Sequence, residues 1–295
     1  MPALRALLLL IIMLVTLPWG ISHGSEVEKP GMKWPEIDVP FQPSSEGIVS
    51  AMLRLGNVAS GDLVYDLGCG DGRIVIAAAT ERGARGVGVD IDPVRIKESN
   101  ENAAAAGVTH LVSFYVQDFF KTDISRATVM MLYLYPHINL KLRPKLLGEL
   151  KPGTRIVSNT YNMGEWQEDA KQWVEGYEVY VYIVPANVTG EWRWVWEGRR
   201  VSLNITQKFQ KVQGSLTIGK ETIPITSASL RGDTLAFSVE RSVRGTKETA
   251  SFAGRVSADT ITGESTRTTT RTTTRSTTSP WKAARNASTM RPIAE

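Results

Sequence analysis

The stretch Val64-Tyr65-Asp66-Leu67-Gly68-Cys69-Gly70-Asp71-Gly72-Arg73-Ile74 decides the fold. An apolar run, Leu63 to Leu67, reads as a strand and gives way to glycines at alternate positions, after which Arg73 opens a helical stretch. Gly68, Gly70 and Gly72 permit a tight turn and a close backbone approach to a ligand. The loop also presents its amides at a helix N-terminus, where negative charge is favoured. Working outward, Arg85 to Val89, Leu111 to Val116, Ala127 to Leu134 and Thr154 to Thr160 are further strand candidates. Helical stretches separate them. Asp92-Pro93 caps a helix over Val94 to Ala106 that Gly107 closes, and Leu140, Leu142, Leu146, Leu147 and Leu150 form an apolar stripe on another that Lys151-Pro152-Gly153 stops. Strand and helix in alternation predict an α/β fold with a doubly wound, mostly parallel, Rossmann-like sheet.

A dinucleotide fingerprint requires G-x-G-x-x-G, and Arg73 stands at its third glycine. The pattern here is D-x-G-x-G-x-G. Asp66 would repel a pyrophosphate but pair with an ammonium group, so the ligand favoured has a zwitterionic amino-acid end. Asp90, closing the next strand 24 residues after Asp66, stands where an acid takes both hydroxyls of a ribose. Asp118 ends the third strand as an acceptor for the adenine amine, with Phe119 beside the ring. Ammonium, ribose and adenine partners at successive strand ends describe S-adenosylmethionine.

With these residues in place, Asp66 to Gly72 with Asp90 and Asp118 resembles the class I, seven-strand S-adenosylmethionine-dependent methyltransferases. Val39-Pro40-Phe41 to Leu53, Asp66 to Ala78 and Asn162-Met-Gly-Glu-Trp166 are similar to the small lysine methyltransferases that include the ATP-synthase c-subunit enzymes and their prokaryotic relatives. The resemblance covers about residues 38 to 170. It departs at Cys69 and Asp90, where those relatives often carry Ser and Glu. It implies protein-lysine N-methylation by in-line transfer, with a protein lysine side chain as acceptor, at a membrane or away from one.

The fourth strand ends Met131-Leu132-Tyr133-Leu134-Tyr135-Pro136, the place where such a sheet presents the reacting atom. Tyr133 and Tyr135 offer aromatic faces and hydroxyls to a lysine amine, and Pro136 closes the motif. Packing of two strand tyrosines in a core is the alternative. His137 is a loop histidine with a lesser claim as base. Cys69 reads as a small buried residue. A small-molecule methyltransferase and a non-catalytic ligand-binding protein on the same fold remain as other readings.

Composition bounds the rest. Of 295 residues, 42% are hydrophobic, 22% are charged and one is cysteine, which excludes an intramolecular disulfide scaffold or a Cys-rich zinc site. Three scattered histidines, His23, His110 and His137, predict no metal centre. The net charge of +4 divides unevenly: residues 186–295 carry 17 Lys+Arg against 9 Asp+Glu, and residues 1–185 carry 17 against 21. No basic and aromatic cluster marks a nucleic-acid groove. Met1 to Gly24 has Arg5, an apolar run, Pro18, then Ser22 and Gly24 at −3 and −1, which predicts a secretory signal. The rival is a membrane anchor, although Ala6 to Ile21 spans only about 24 Å of a ~30 Å core. The protein is therefore expected to be exported or held to a membrane by its N-terminus.

The ligand-binding domain is expected over 38–185. After Pro185, short candidates at Trp192 to Trp196, Arg200 to Gln207, Ser215 to Ile218, Thr234 to Val239 and Thr249 to Val256 predict a small antiparallel β-domain over 186–264. Tyr177 to Val184 and Trp192 to Trp196 could each finish the sheet or begin that domain. Residues 265–279 hold only Thr, Arg and Ser, which predicts a loop or linker, and 280–295 is a closing segment in which Trp281 could start a last strand.

Overall fold

The computed structural model describes residues 41–294 except Arg244 and Arg271. The segment expected to direct export, residues 1–24, lies outside the described residues. The first half builds a seven-stranded sheet of order β3-β2-β1-β4-β5-β7-β6. Its chain order is α1 (Glu46–Leu55), β1 (Leu63–Leu67), α2 (Arg73–Arg82), β2 (Arg85–Asp90), α3 (Pro93–Ala105), β3 (Val112–Val116), β4 (Val129–Leu132), α4 (Pro136–Glu149), β5 (Arg155–Asn159), β6 (Ala170–Val174) and β7 (Tyr177–Ile183). The first five strands are parallel, and β7 enters antiparallel between β5 and the edge strand β6.

The expected doubly wound sheet is present, and its cause is visible in burial. β4 is covered on both faces, and β1 is buried at every position after Leu63. Continuous apolar runs of this kind belong to parallel strands with helices above and below. One face packs against α1 and α2 through Val64, Val129, Met131 and Val157; the other packs through Leu67, Met130, Leu132 and Ile156. α3 starts as its cap predicts, with the Asp92 carboxylate accepting from Val94 N at 2.8 Å and Pro93 in the first turn. α4 departs from its expected stripe. Leu142 and Leu146 are fully buried, but Leu140 is 43% exposed, and the buried face runs through Ile138, Leu142 and Leu146 at four-residue spacing.

The open question at the domain junction resolves both ways. Tyr177 to Ile183 completes the sheet, whereas Trp192 to Trp196 belongs to β8 (Gly190–Trp196), the first strand of a closed eight-stranded antiparallel barrel. The others are β9 (Arg199–Lys208), β10 (Lys211–Ile218), β11 (Glu221–Arg231), β12 (Thr234–Val243), β13 (Thr246–Ser257), β14 (Thr260–Thr270) and β15 (Thr274–Arg285). An eight-stranded barrel is just wide enough for side chains to fill it. Here Trp192, Trp194, Trp281, Phe237 and Phe252 do so, with the Phe252 ring 4.9 Å from Phe237 and 5.2 Å from Trp281.

The Thr/Arg segment 265–279 is not a loop. It forms most of the β14–β15 hairpin, registered from Thr260 opposite Ala284 to Thr270 opposite Thr274. Threonine favours a pleated surface, and outward hydroxyls pair across the strands: Thr266 with Thr278 and Thr268 with Ser276, both at 3.0 Å. The buried anchors are at the other end, Ile261, Trp281 and Ala283, and they carry the hairpin into the barrel core. Low complexity excluded a core of its own, but not a place on the wall of a shared one.

Phe252→Ala should lower barrel stability by about 3–5 kcal/mol, the cost of truncating a large buried aromatic. Denaturant unfolding followed by near-ultraviolet circular dichroism checks this; a change within about 1 kcal/mol would show that the aromatic cluster is not the barrel core.

Candidate active site

The glycine loop leaves β1 with Gly68, Gly70 and Gly72 at φ of +78°, +54° and +80°. The amides of Gly68 and Cys69 both donate to Val89 O, at 2.8 and 3.0 Å, which ties the turn to the end of β2. Ser99 Oγ and Asn102 Nδ2 of α3 donate to the carbonyls of Gly70 and Asp71 at 2.8 and 3.0 Å. A Cβ on Gly70 would stand 2.2 Å from the Phe41 ring, and one on Gly72 would stand 2.8 Å from Phe114. Positive φ and absence of space both demand glycine at these two positions.

Three acids gather around this loop, each in a different state. Asp71 chelates Arg73, with Nε to Oδ1 at 2.9 Å and Nη2 to Oδ2 at 2.5 Å. Partial burial opposes its ionisation, but the Arg73 hydrogen bonds and charge prevail and hold the carboxyl below its usual range. Arg73 also donates to Ser44 O at 2.7 Å. The residue that excludes a dinucleotide site is thus a strut between the loop and the segment leading into α1. Asp90 accepts from Gly70 N through Oδ2 at 2.9 Å and from Asp92 N through Oδ1 at 3.0 Å. Each oxygen keeps a second lone pair, so the carboxylate can brace the loop and still take a ribose hydroxyl.

Asp66 is the third acid. It is 2% exposed, and among the described residues no hydrogen bond or salt bridge reaches its carboxyl group. Burial first, then the charges of Asp90 and Asp71, push its pKa up to about 8. Cys69, beside it, is buried, and its thiol is pushed up by that burial and then by Asp66 and Asp90, so it packs and does not act as a nucleophile. Asp118 follows β3 next to Asp90, since Gln117 N donates to Asp90 O at 2.9 Å. Its Oδ1 accepts from Phe120 N at 2.9 Å, and Phe119 beside it is half-buried against the sheet core. Asp66, the glycine loop, Asp90 and Asp118 therefore share the carboxyl edge of adjacent strands.

On the far side, β4 delivers Tyr133 and Tyr135 to the same edge, and a Cβ on Gly68 would stand 3.1 Å from Leu134 Cδ2. Pro136 is the exposed first residue of α4 and sets the turn that holds Tyr135. Tyr161 joins them, and sequence reading did not find it. Its ring lies 6.4 Å from Tyr133 and 5.7 Å from Tyr135, while His137 stacks on the outer face of Tyr135 at 6.2 Å. Tyr161 is presented by Thr160, a β-branched residue at φ +65°. That conformation is costly and persists only where the surroundings enforce it. Thr160 N donates to Glu178 O at 2.7 Å, Ser158 Oγ donates to Tyr161 O at 2.6 Å, and buried Asn139 donates to the same carbonyl at 3.2 Å. The available signal was Asn159-Thr160-Tyr161-Asn162, a polar run directly after a buried strand.

The sequence pattern of the ANTKMT methyltransferase domain matches residues 66–170. A protein-lysine N-methyltransferase of Saccharolobus islandicus is 42% identical over 151 residues, which are 50% of this chain and 94% of that protein. The chain belongs to this methyltransferase family. The lysine N-methyltransferase of the ATP synthase c-subunit in Xenopus laevis is 34% identical over 44% of this chain, but the match spans only 57% of that relative. A solved RNA methyltransferase from Salinibacter ruber, in complex with S-adenosyl-L-homocysteine, is 48% identical over 50% of this chain and 96% of its own, with a TM-score of 0.49. The barrel lies beyond the matched domain.

The methyl donor is S-adenosylmethionine, and the residues of this methyltransferase fit it. Asp66, buried and without a partner among the described residues, would hold the ammonium group, and the glycine loop brings backbone to the same strand edge. Asp90 and Asp118, one and two strands away, would take the ribose and the adenine.

Asp90→Ala should weaken S-adenosylhomocysteine binding by about 1.5–3 kcal/mol, the range for a hydrogen bond to a charged group. Calorimetry showing unchanged affinity would remove Asp90 from the site. Asp66 makes a separate prediction for the ligand-free enzyme. Its folded pKa of about 8 exceeds the ordinary 3.8, so its contribution to stability is full below about pH 4 and is lost as pH rises towards 8. Asp66→Asn should flatten the fall in Tm between pH 5 and 8 while weakening donor binding. Parallel pH profiles for both proteins would contradict the buried acid.

Proposed function

We propose that this methyltransferase acts on the ε-amine of a lysine in a protein. The observation that carries this reading is the wall of Tyr133, Tyr135 and Tyr161 at the strand edge, in contact with the donor loop through Leu134. Aromatic faces attract an ammonium group. Burial raises the Tyr133 pKa, although a hydrogen bond with Thr160 opposes it, so its hydroxyl stays neutral and offers a lone pair instead of a fixed charge. The donor supplies an electrophilic methyl on a sulfonium. The lysine ammonium would lose a proton to solvent, and the neutral amine would form its bond to the methyl as the methyl–sulfur bond breaks and the thioether leaves. For that in-line attack, alignment and exclusion of water contribute more than a strong base. The lysine-directed names of relatives in the family support the same acceptor.

The apolar segment from Ala6 to Ile21 carries the second part of the proposal, that the enzyme is exported or held at a membrane and meets its protein substrate there. Among the described residues no helix is long and apolar enough to cross a membrane. N-terminal sequencing from the native host should give Ser25 if the segment is removed, or an intact start in the membrane fraction if it anchors. An intact N-terminus confined to the soluble fraction would defeat both.

Tyr161 gives the direct test of the acceptor. Tyr161→Phe should keep most transfer, because the ring face contributes ~0.5–2 kcal/mol without its hydroxyl. Tyr161→Ala should lower transfer on the order of 100-fold, as expected for an acceptor displaced by about 1 Å. Donor binding should stay unchanged in both. Labelled donor is offered with poly-L-lysine, free lysine and RNA side by side. Label on poly-L-lysine supports the proposal, whereas label confined to free lysine or RNA would overturn it.

A further inference from the structure

Tyr161 stands in a segment, residues 160–169, that has no helix or strand of its own. One end is secured by β5 and α4, as described above. The other end meets the barrel at the turn between β9 and β10, in a residue-by-residue match. Lys208 pairs with Glu165 at 2.5 Å, Phe209 stacks on Trp166, and Gln210 Nε2 donates to Gln167 O at 2.7 Å. The last residue of β9 and the two residues of the turn therefore hold three consecutive residues of the acceptor segment.

The centre of this contact is Phe209. It belongs to the barrel turn yet is 2% exposed inside the core of the seven-stranded sheet, with its ring parallel to Trp166 within 3° at 5.9 Å. The Arg143 guanidinium covers Phe209 at 5.1 Å while Nη1 donates to Met163 O at 2.9 Å. Trp166 in turn packs on Tyr182, whose hydroxyl accepts from Met163 N at 3.1 Å. The Phe209 backbone is at φ +52°, a cost enforced by Gln207, which donates to its carbonyl at 2.7 Å, and by its own amide, which donates to Ala294 O at 3.2 Å. Trp166 Nε1 is buried without a partner among the described residues, so ring packing and not a hydrogen bond sets the tryptophan's position.

We infer that the barrel is a clamp on the acceptor side of the active site and that Phe209 is a positioning residue, acting through Trp166 on the segment that presents Tyr161. This inference rests on the acceptor wall proposed above. It gives the barrel a part in catalysis: it fixes the channel against which the lysine is aligned and leaves the donor site, built from β1 to β3, alone. A loose acceptor segment would misplace the amine while donor binding continued.

The test uses the full chain. Hydrogen exchange, S-adenosylhomocysteine calorimetry and transfer to poly-L-lysine are measured for wild type, Phe209→Ala, Phe209→Leu and Phe252→Ala. The leucine variant keeps an apolar filling and serves if the alanine variant does not fold. In the Phe209 variants, amides 161–168 should exchange about tenfold faster or more, with β1 to β4 protected as before and donor affinity within about twofold. Transfer should fall about tenfold or more, mainly through kcat, the direction expected when a bound acceptor is misaligned. Phe252→Ala, remote from the turn, should loosen barrel amides and spare 161–168. The clamp is overturned if Phe209 substitution leaves exchange of 161–168 unchanged, if all amides accelerate together, or if acceptor kinetics follow Phe252 as closely as Phe209. If wild type transfers nothing to poly-L-lysine, the lysine reading fails, and the exchange of 161–168 alone decides the clamp.

Discussion

The active site depends on a carboxyl group placed where it has no partner among the described residues. Asp66 stands near the end of the strand flanked by β2 and β4, with two more acids close by. The protein compensates the other two: Asp71 by Arg73, and Asp90 by the amides of Gly70 and Asp92. Asp66 is left to hold its proton. A buried charge without a counter-ion is expensive, and a ligand that brings the counter-ion relieves that cost. The ammonium end of the donor would be such a ligand. Much of the surrounding architecture serves this arrangement, because the positive-φ glycines, the α3 hydrogen bonds and the Arg73 strut all shape the loop above Asp66.

The acceptor side follows a different logic. Among the described residues it offers only the faces and hydroxyls of three tyrosines from two separate segments. β4 positions two of them by sheet pairing and the start of α4. The third sits on irregular backbone, in a strained Thr160 conformation that hydrogen bonds from Ser158, Asn139 and Thr160 itself secure at one end. At the other end the barrel turn drives Phe209 into the sheet's core. Sheet and barrel differ in topology, charge balance and relation to known proteins, and yet they share this one aromatic stack.

What could be read from the residues alone follows from the range of the interactions that set them. The parallel strands and the glycine loop were legible because their signals are local: apolar runs bounded by turns, and glycines where φ must be positive. Leu140 was misjudged because a count of leucines does not report which helix face the sheet covers; Ile138, an isoleucine before the counted stripe, completes it. The Thr/Arg segment was misjudged because its hairpin is held by Trp281 and Ile261 and by closure of the whole barrel, none of which resides in its composition. Tyr161 was missed for a similar reason. Its place beside Tyr133 and Tyr135 comes from adjacent pairing of β4 and β5, a contact between residues about thirty positions apart. Phe209 was beyond any pattern, since a barrel turn buried in another sheet leaves no periodicity.

The most direct test of the account is the proton balance of donor-site binding. S-adenosylhomocysteine is titrated into the full chain at pH 6.5, where an α-amino group is already charged, in two buffers of different ionisation enthalpy. Asp66, protonated below about pH 8 in the free enzyme, must ionise to meet the ligand's ammonium. The account predicts release of about one proton per site in the wild type and close to none in Asp66→Asn. Binding with no proton release in the wild type, or the same release in both proteins, would contradict it.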